Sequence, residues 1–188
     1  MLLPILLSAT MLSQPDPYHF EKNADNVQAI IEVAREENAE PFELLAIAAT
    51  ESRFNSRAVS HTGDYGLFQV NCRVWWRELG FRNWQSCARL MLDPYINTRA
   101  ALFIIKRYRS KYKWCRGDRL YSCYNGGPYW KRSKKRGKIK RYRDAVRRRR
   151  WKLKRRYKSR VLGTLSGNYH LIRRLCQKES GKHSLISL

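Results

Sequence analysis

The chain has 188 residues, with 39 Lys and Arg against 15 Asp and Glu, a formal net charge of +24 at pH 7. That length suits one domain with a tail rather than two full domains, and a hydrophobic fraction of 43 % is enough for a packed core. The charge imbalance points to a polyanionic partner, either nucleic acid, an anionic cell envelope or a membrane surface.

The first stretch, MLLPILLSATML, is apolar over about a dozen residues, too few to span a bilayer. It has the apolar core of a secretion signal, yet no Lys or Arg precedes it, the first basic residue is Lys22, and no A-x-A cleavage site follows. A secretion signal, an uncleaved apolar anchor and a core-packing segment are equally compatible with it. Composition divides the chain into an apolar segment over 1–20, a domain over 21–150, and a basic C-terminal extension over 131–188 that overlaps the domain's last helix.

Apolar positions Val27, Ile30, Ile31 and Ala34 predict a helix from Asn23 to Glu37. Asn38, Ala39 and Glu40 break it, and Pro41 sits where a first-turn proline belongs, so a second helix runs to Glu51. Asn55 to Tyr65 reads as a loop with short strand character at most. Short helices are expected over Val74–Leu79 and Trp84–Leu92. Asp93 as N-cap and Pro94 in the first turn start a longer one. Another begins at Asp118 and ends at Gly126-Gly127-Pro128. A basic helix follows over Gly137–Tyr157, with Ile139, Tyr142, Val146 and Leu153 near one face, and a last helix is expected around Tyr169–Gln177. No long alternating pattern and no repeat is present, so the fold class is mainly α with little or no β structure.

The five cysteines form no C-x-x-C and the four histidines are scattered, which argues against a zinc site. In an oxidising compartment Cys72 with Cys87, and Cys115 with Cys123, are placed for short-range disulfides, leaving Cys176 free. A fully reduced set is equally consistent with the spacing.

Glu51 ends the apolar run PFELLAIAAT. Leu44, Ala48 and Glu51 fall at i, i+4 and i+7, one helical stripe, and Ile47 widens it, so the carboxyl faces the core. Desolvation and the negative end of the helix dipole both favour its protonated form. A carboxylic acid kept protonated near neutral pH is what general-acid cleavage of a glycosidic bond requires. The competing reading is a helix-end Glu paired with Arg53 or Arg57.

The residues around it bear on that choice. Glu51-Ser52-Arg53-Phe54-Asn55-Ser56, then Ala58-Val59-Ser60-His61-Thr62-Gly63-Asp64-Tyr65-Gly66-Leu67-Phe68-Gln69, resemble the E-S-x-F-N-P and A-x-S-x-x-G-x-x-G-L-M-Q signature of the lytic transglycosylase SLT family. Asp93-Pro94-Tyr95-Ile96-Asn97-Thr98 and Cys123-Tyr124-Asn125-Gly126-Gly127 resemble two further blocks of that family, D-P-x-x-N-I and A-Y-N-x-G, in the same order. The departures are Ser56 for Pro, Phe68 for Met and Cys123 for a small residue, and none removes a catalytic group. The match is closest to small single-domain members tied to secretion systems and bacteriophages.

The resemblance implies a lysozyme-like, goose-type fold and cleavage of the MurNAc-β-1,4-GlcNAc bond of peptidoglycan to 1,6-anhydro ends, with no metal or other cofactor. It implies that Glu51 is the single acid/base and that Tyr124 holds or hydrogen-bonds its carboxyl. It places Ser60, Gln69, Asn71 and Asn125 on the glycan groove, counts Gly66, Phe68 and Tyr124 with them as substrate-binding residues, and has Gly63 and Gly66 letting the backbone turn close to the sugar. GDYGLFQVN also resembles animal-type lysozymes, in which the Asp corresponding to Asp64 is a second carboxylate and the reaction is hydrolysis. A loop Asp that only bonds its own turn is the plainer reading of Asp64. Trp75, Trp76, Trp84, Trp114 and Trp130 could line a sugar groove but are read mostly as core aromatics, with Trp130, just after the Tyr124-Asn125 block, the one left open.

Lys131 to Arg160 holds 19 of the 39 basic residues and a single acid, Asp144. Arg147, Arg148, Arg149 and Arg150 place charge on every face of a helix, a density that a polyanion such as a wall polymer, membrane phosphate or phage DNA would screen. Trp151 and Tyr157 among them are compatible with base stacking but fit better as residues packed on the domain. The enzyme is therefore expected at the bacterial cell wall or periplasm, either secreted or carried in a phage particle. A polyanion-binding virion protein with a vestigial lysozyme-like domain is the alternative from another class. The intact Glu51, Gln69, Tyr124 and Asn125 set argues against it.

Overall fold

Pro41 and the side chain of Glu40, which accepts the Glu43 amide at 2.7 Å, start the helix around which the domain is assembled. In the computed structural model this helix, α2, spans Pro41–Glu51, and every residue from Pro41 to Ala49 is buried. The structure describes residue 20 and residues 22–165, with side chains to residue 158. The apolar N-terminal stretch, Cys176 and the helix expected around Tyr169–Gln177 lie outside the described residues.

Helix α1, Ala24–Glu36, buries Val27, Ile30, Ile31 and Ala34 as its periodicity predicts, together with Ala29 and Val33. It ends in a left-handed turn at Asn38, whose φ is 49°. Two adjacent two-residue strands, β1 (Asp64–Tyr65) and β2 (Val70–Asn71), form an antiparallel ribbon with Asp64 opposite Asn71 and Tyr65 opposite Val70. Helix α3, Cys72–Trp75, starts earlier than expected because the Asn71 side chain accepts the Val74 amide at 3.2 Å and caps it. Turns, rather than the expected helix, carry the chain from Trp76 to Gly80. Asn83 and Ser86 form a capping box for α4, Trp84–Leu90. Asp93 caps α5, Pro94–Lys111, by accepting the Ile96 amide at 2.9 Å.

Helix α6, Arg119–Gly126, ends at Gly127, whose φ is 74°. A 3-10 turn over Trp130–Arg132 leads into α7, Arg136–Leu165, which is longer than its apolar stripe predicts. Ile139, Val146, Leu153 and Tyr157 are the buried face of α7 and pack it on α2, α6 and α1. Tyr157 stacks on Phe20 at 4.5 Å, and Phe20 meets Phe54 edge-on at 5.3 Å. Trp151 does not pack on the domain: it is 60 % exposed, with the Arg155 guanidinium over its ring.

One polar chain ties four helices together. Arg109 on α5 donates to both oxygens of the buried Glu43 on α2, at 2.7 and 2.6 Å. Tyr121 on α6 donates to Glu43 at 3.3 Å, and Arg150 on α7 donates to Tyr121 at 3.3 Å and to Glu40 at 3.0 Å. Arg149 donates to Thr50 at 3.3 Å. The expectation that all four consecutive arginines project free charge is therefore corrected. Arg149 and Arg150 turn onto the domain, whereas Arg147 and Arg148 are exposed, with Arg147 lying 3.8 Å from Asp118. Both proposed short-range disulfides are formed, Cys72–Cys87 and Cys115–Cys123.

Candidate active site

Glu51 is the last residue of α2, and the backbone behind it is unusual. Arg53 and Phe54 both have positive φ, at 54° and 65°, a region that side chains with a Cβ rarely adopt. Two side-chain hydrogen bonds hold this corner. Asn26 donates to the Phe54 carbonyl at 2.8 Å, and Ser52 donates to the Leu67 carbonyl at 2.8 Å. The second bond fastens the end of α2 to the ribbon turn Gly66–Gln69, so the acid and the loop beside it form one unit.

That turn is organised by Asn97, which is fully buried on α5. Its Oδ1 accepts the Phe68 amide at 2.8 Å, and its Nδ2 donates to the Tyr65 and Met91 carbonyls at 2.8 and 2.9 Å. Gly66, at φ 74°, lies against the same group. A Cβ there would sit 2.1 Å from the Met91 carbonyl oxygen and 2.5 Å from Asn97 Nδ2. Gly66 is thus required by protein packing, and the expectation that it makes room for a sugar is corrected. Phe68 is likewise a core residue with no exposure. Ser60 stands behind the cleft wall: its hydroxyl donates to Asp64 at 2.6 Å and accepts the Asp64 amide at 3.0 Å.

The cleft has a volume of about 280 Å³. Glu51, Asp64, Gln69, Asn71, Tyr124 and Asn125 all line it. Val70, Trp75 and Ile104 complete the wall. Trp130, the tryptophan left open for the groove, is buried, and Trp75 is the tryptophan on the cleft wall. Gln69 is held at φ 48° with its amide donating to the Ala58 and Gly66 carbonyls at 3.1 and 3.0 Å, leaving its side-chain oxygen for another partner.

Glu51 makes no ion pair with Arg53 or Arg57 among the described residues. Its hydrogen bond comes from Tyr142 on α7, which donates to Oε1 at 2.6 Å. The bond expected from Tyr124 is thereby corrected: Tyr124 donates to the Phe68 carbonyl at 2.9 Å and so stiffens the loop beside the acid. Tyr142 was legible only as part of an apolar stripe. Its hydroxyl, on a buried face, signalled a need for some partner, but a partner 91 positions away is not written in local sequence.

Burial raises the Glu51 pKa from its ordinary value to about 7, the Tyr142 hydrogen bond opposes the rise, and the charge of Asp64 adds to it. Burial first, then the Glu51 charge, pushes Tyr124 and Tyr142 well above the ordinary phenol range, so both are neutral at physiological pH. Asp64 is placed differently. It accepts hydrogen bonds from Ser60 at 2.6 Å, Thr62 at 2.5 Å and Asn71 at 2.7 Å, all within its own hairpin. The cleft thus holds a carboxyl poised near neutrality and a carboxylate fixed by three donors, with side-chain amides and an indole also in its wall. Such a site can protonate a leaving oxygen and stabilise developing positive charge on a sugar ring.

Comparison with known proteins agrees with this chemistry. No curated protein and no solved structure matches the chain. The family model for the transglycosylase SLT domain matches residues 28–146, a span that includes Glu51, the ribbon, Asn97, Tyr124 and Tyr142. The chain belongs to the SLT family of peptidoglycan lytic transglycosylases, enzymes that degrade the bacterial cell wall.

Proposed function

We propose that the enzyme cleaves the MurNAc-β-1,4-GlcNAc bond of peptidoglycan and leaves 1,6-anhydroMurNAc ends. The observation that supports this most is Glu51, a cleft-lining carboxyl whose pKa burial raises to about 7. As an acid it protonates the glycosidic oxygen while the C1–O bond breaks and positive charge develops at the MurNAc C1. The 2-acetamido oxygen of the same sugar shares that charge. Glu51, now a carboxylate, takes the proton of the C6 hydroxyl, whose oxygen bonds to C1. The proton gained equals the proton lost, and no water is consumed. Tyr142 donates to Glu51 throughout and steadies the carboxylate form.

Asp64 faces this centre with its oxygens already held by Ser60, Thr62 and Asn71, which favours a fixed electrostatic role over nucleophilic attack. The test compares digestion of purified sacculi by the native protein and by Glu51→Gln and Asp64→Asn variants of equal stability. Loss of about a hundredfold or more for Glu51→Gln, with a smaller loss for Asp64→Asn, is expected. Full activity in Glu51→Gln would end the proposal.

A second reading concerns α7. Arg147, Arg148 and Trp151 project from its outer face, whereas Arg149 and Arg150 are taken up by the domain. We propose that the outer residues meet a polyanion. Replacing Arg147 and Arg148 with Gln is expected to lower the salt concentration that elutes the protein from heparin. An unchanged elution would refute the reading.

A further inference from the structure

A run of aromatic rings leaves the cleft along α5. Trp75, on the cleft wall, meets Tyr108 edge-on at 5.6 Å, and Tyr108 meets Tyr112 at 6.1 Å. Tyr112 then meets Trp114 at 5.5 Å and Tyr129 at 5.9 Å. The rings change character along the way. Tyr108 is buried, Trp114 is 41 % exposed and Tyr129 is 58 % exposed. From Ile104 on the cleft wall to Tyr112 is eight residues of helix and cap, about 12 Å. That is farther than one sugar ring reaches.

The exposed end is held in place. Trp114 Nε1 donates to the Pro128 carbonyl at 2.8 Å, joining the loop before α6 to the loop after it. The Cys115–Cys123 disulfide fastens the first loop to α6 one residue beyond Trp114. Tyr129 follows the cleft residue Asn125 by four positions. Two cations border the rings: Lys111 Nζ lies 5.8 Å from the Tyr112 centroid, and Arg132 Cζ lies 5.8 Å from that of Tyr129. Neither has an acidic partner among the described residues.

We propose that Tyr112, Trp114 and Tyr129 form a distal platform for the glycan strand, beyond the sugars that fill the cleft. The C–H faces of sugar rings pack on exposed aromatic faces, and an aromatic with a polar tip suits a ligand that stays half in water. Lys111 and Arg132 are placed to meet carboxylates of the strand's peptide stems. Ring contacts through Tyr108 tie the platform to Trp75 on the cleft wall, and Tyr129 follows the cleft residue Asn125 by four positions, which is why a strand, rather than an unrelated protein, is its occupant. This inference rests on the reading of the cleft as a glycan site.

The experiment measures binding of peptidoglycan-derived tetrasaccharide and octasaccharide to the Glu51→Gln protein and to the same protein carrying Tyr129→Ala or Tyr129→Phe. Thermal melting confirms that each variant is folded. Tyr129→Ala is expected to weaken octasaccharide binding about tenfold and leave tetrasaccharide binding unchanged, while Tyr129→Phe keeps both. Octasaccharide binding that is unaffected by Tyr129→Ala, or weakened equally by both substitutions, overturns the platform while the cleft reading stands. Binding of neither oligosaccharide to Glu51→Gln overturns both.

Discussion

Tyr142 on the basic helix α7 donates a 2.6 Å hydrogen bond to Glu51 at the end of α2, across 91 positions of sequence. The bond joins the most highly charged element of the domain to its acid. It favours the carboxylate, and so works against the burial that raises the Glu51 pKa. Removing it with Tyr142→Phe therefore moves Glu51 further up. The descending alkaline limb of the pH–rate profile should shift to higher pH, while the plateau of kcat/KM should fall about tenfold because the carboxylate formed as the acid gives up its proton loses its donor. A profile that keeps its limb would show that the hydroxyl does not set the acid.

In the proposed mechanism protonated Glu51 is the active form of the first step. Its pKa of about 7 places loss of activity above neutrality, with the acid depleted as pH rises through that value. The same shift has a consequence for stability. The folded-state pKa lies above the unfolded one, so the fold holds a proton that the unfolded chain has released between about pH 4.5 and 7. Release of that proton by the unfolded chain thus lowers stability progressively across that window. Glu51→Gln should be more stable than the native protein at pH 8 by roughly 1–3 kcal/mol, and the difference should shrink toward zero at pH 4. Chemical denaturation at the two pH values checks this.

Gly66→Ala should be more damaging than an exposed loop glycine suggests. The new Cβ would strike the Met91 carbonyl and Asn97, and the residue would hold a φ of 74°. A loss of roughly 3 kcal/mol in unfolding free energy is expected, with activity falling as the Asn97 bonds to the Phe68, Tyr65 and Met91 backbone are disturbed. By contrast Gly117→Ala, where a Cβ has open space but φ is 54°, should lose only about 1 kcal/mol.

Replacing Cys115 and Cys123 together with Ser should lower stability by about 2 kcal/mol, because the bond closes a short loop. Peptidoglycan cleavage should persist, since neither cysteine lines the cleft. Melting with and without reductant, alongside sacculus digestion, separates the two effects.

Much of the scaffold was legible because its signals are local. Pro41, Asp93 with Pro94, and the apolar spacing of α1 and α2 mark helix starts and faces within a few residues. The inward direction of Glu51 followed from the same spacing. The parts that were not legible depend on contacts between distant segments. Arg149 and Arg150 look like surface charge until Thr50, Glu40 and Tyr121 are brought beside them. Gly66 and Phe68 sit among cleft residues in the motif, but Asn97 and the core claim them. The identity of the tyrosine on Glu51 turned on the docking of α7, which no spacing rule reports.

In the proposed reaction Glu51 both gives and takes the proton in an intramolecular transfer. Mass spectrometry of the muropeptides released from purified peptidoglycan, run beside Glu51→Gln, tests it most directly. Anhydro-ended products are expected from the native protein and none from the variant. Products with reducing ends would contradict it, showing that water attacks C1 and moving attention to Asp64.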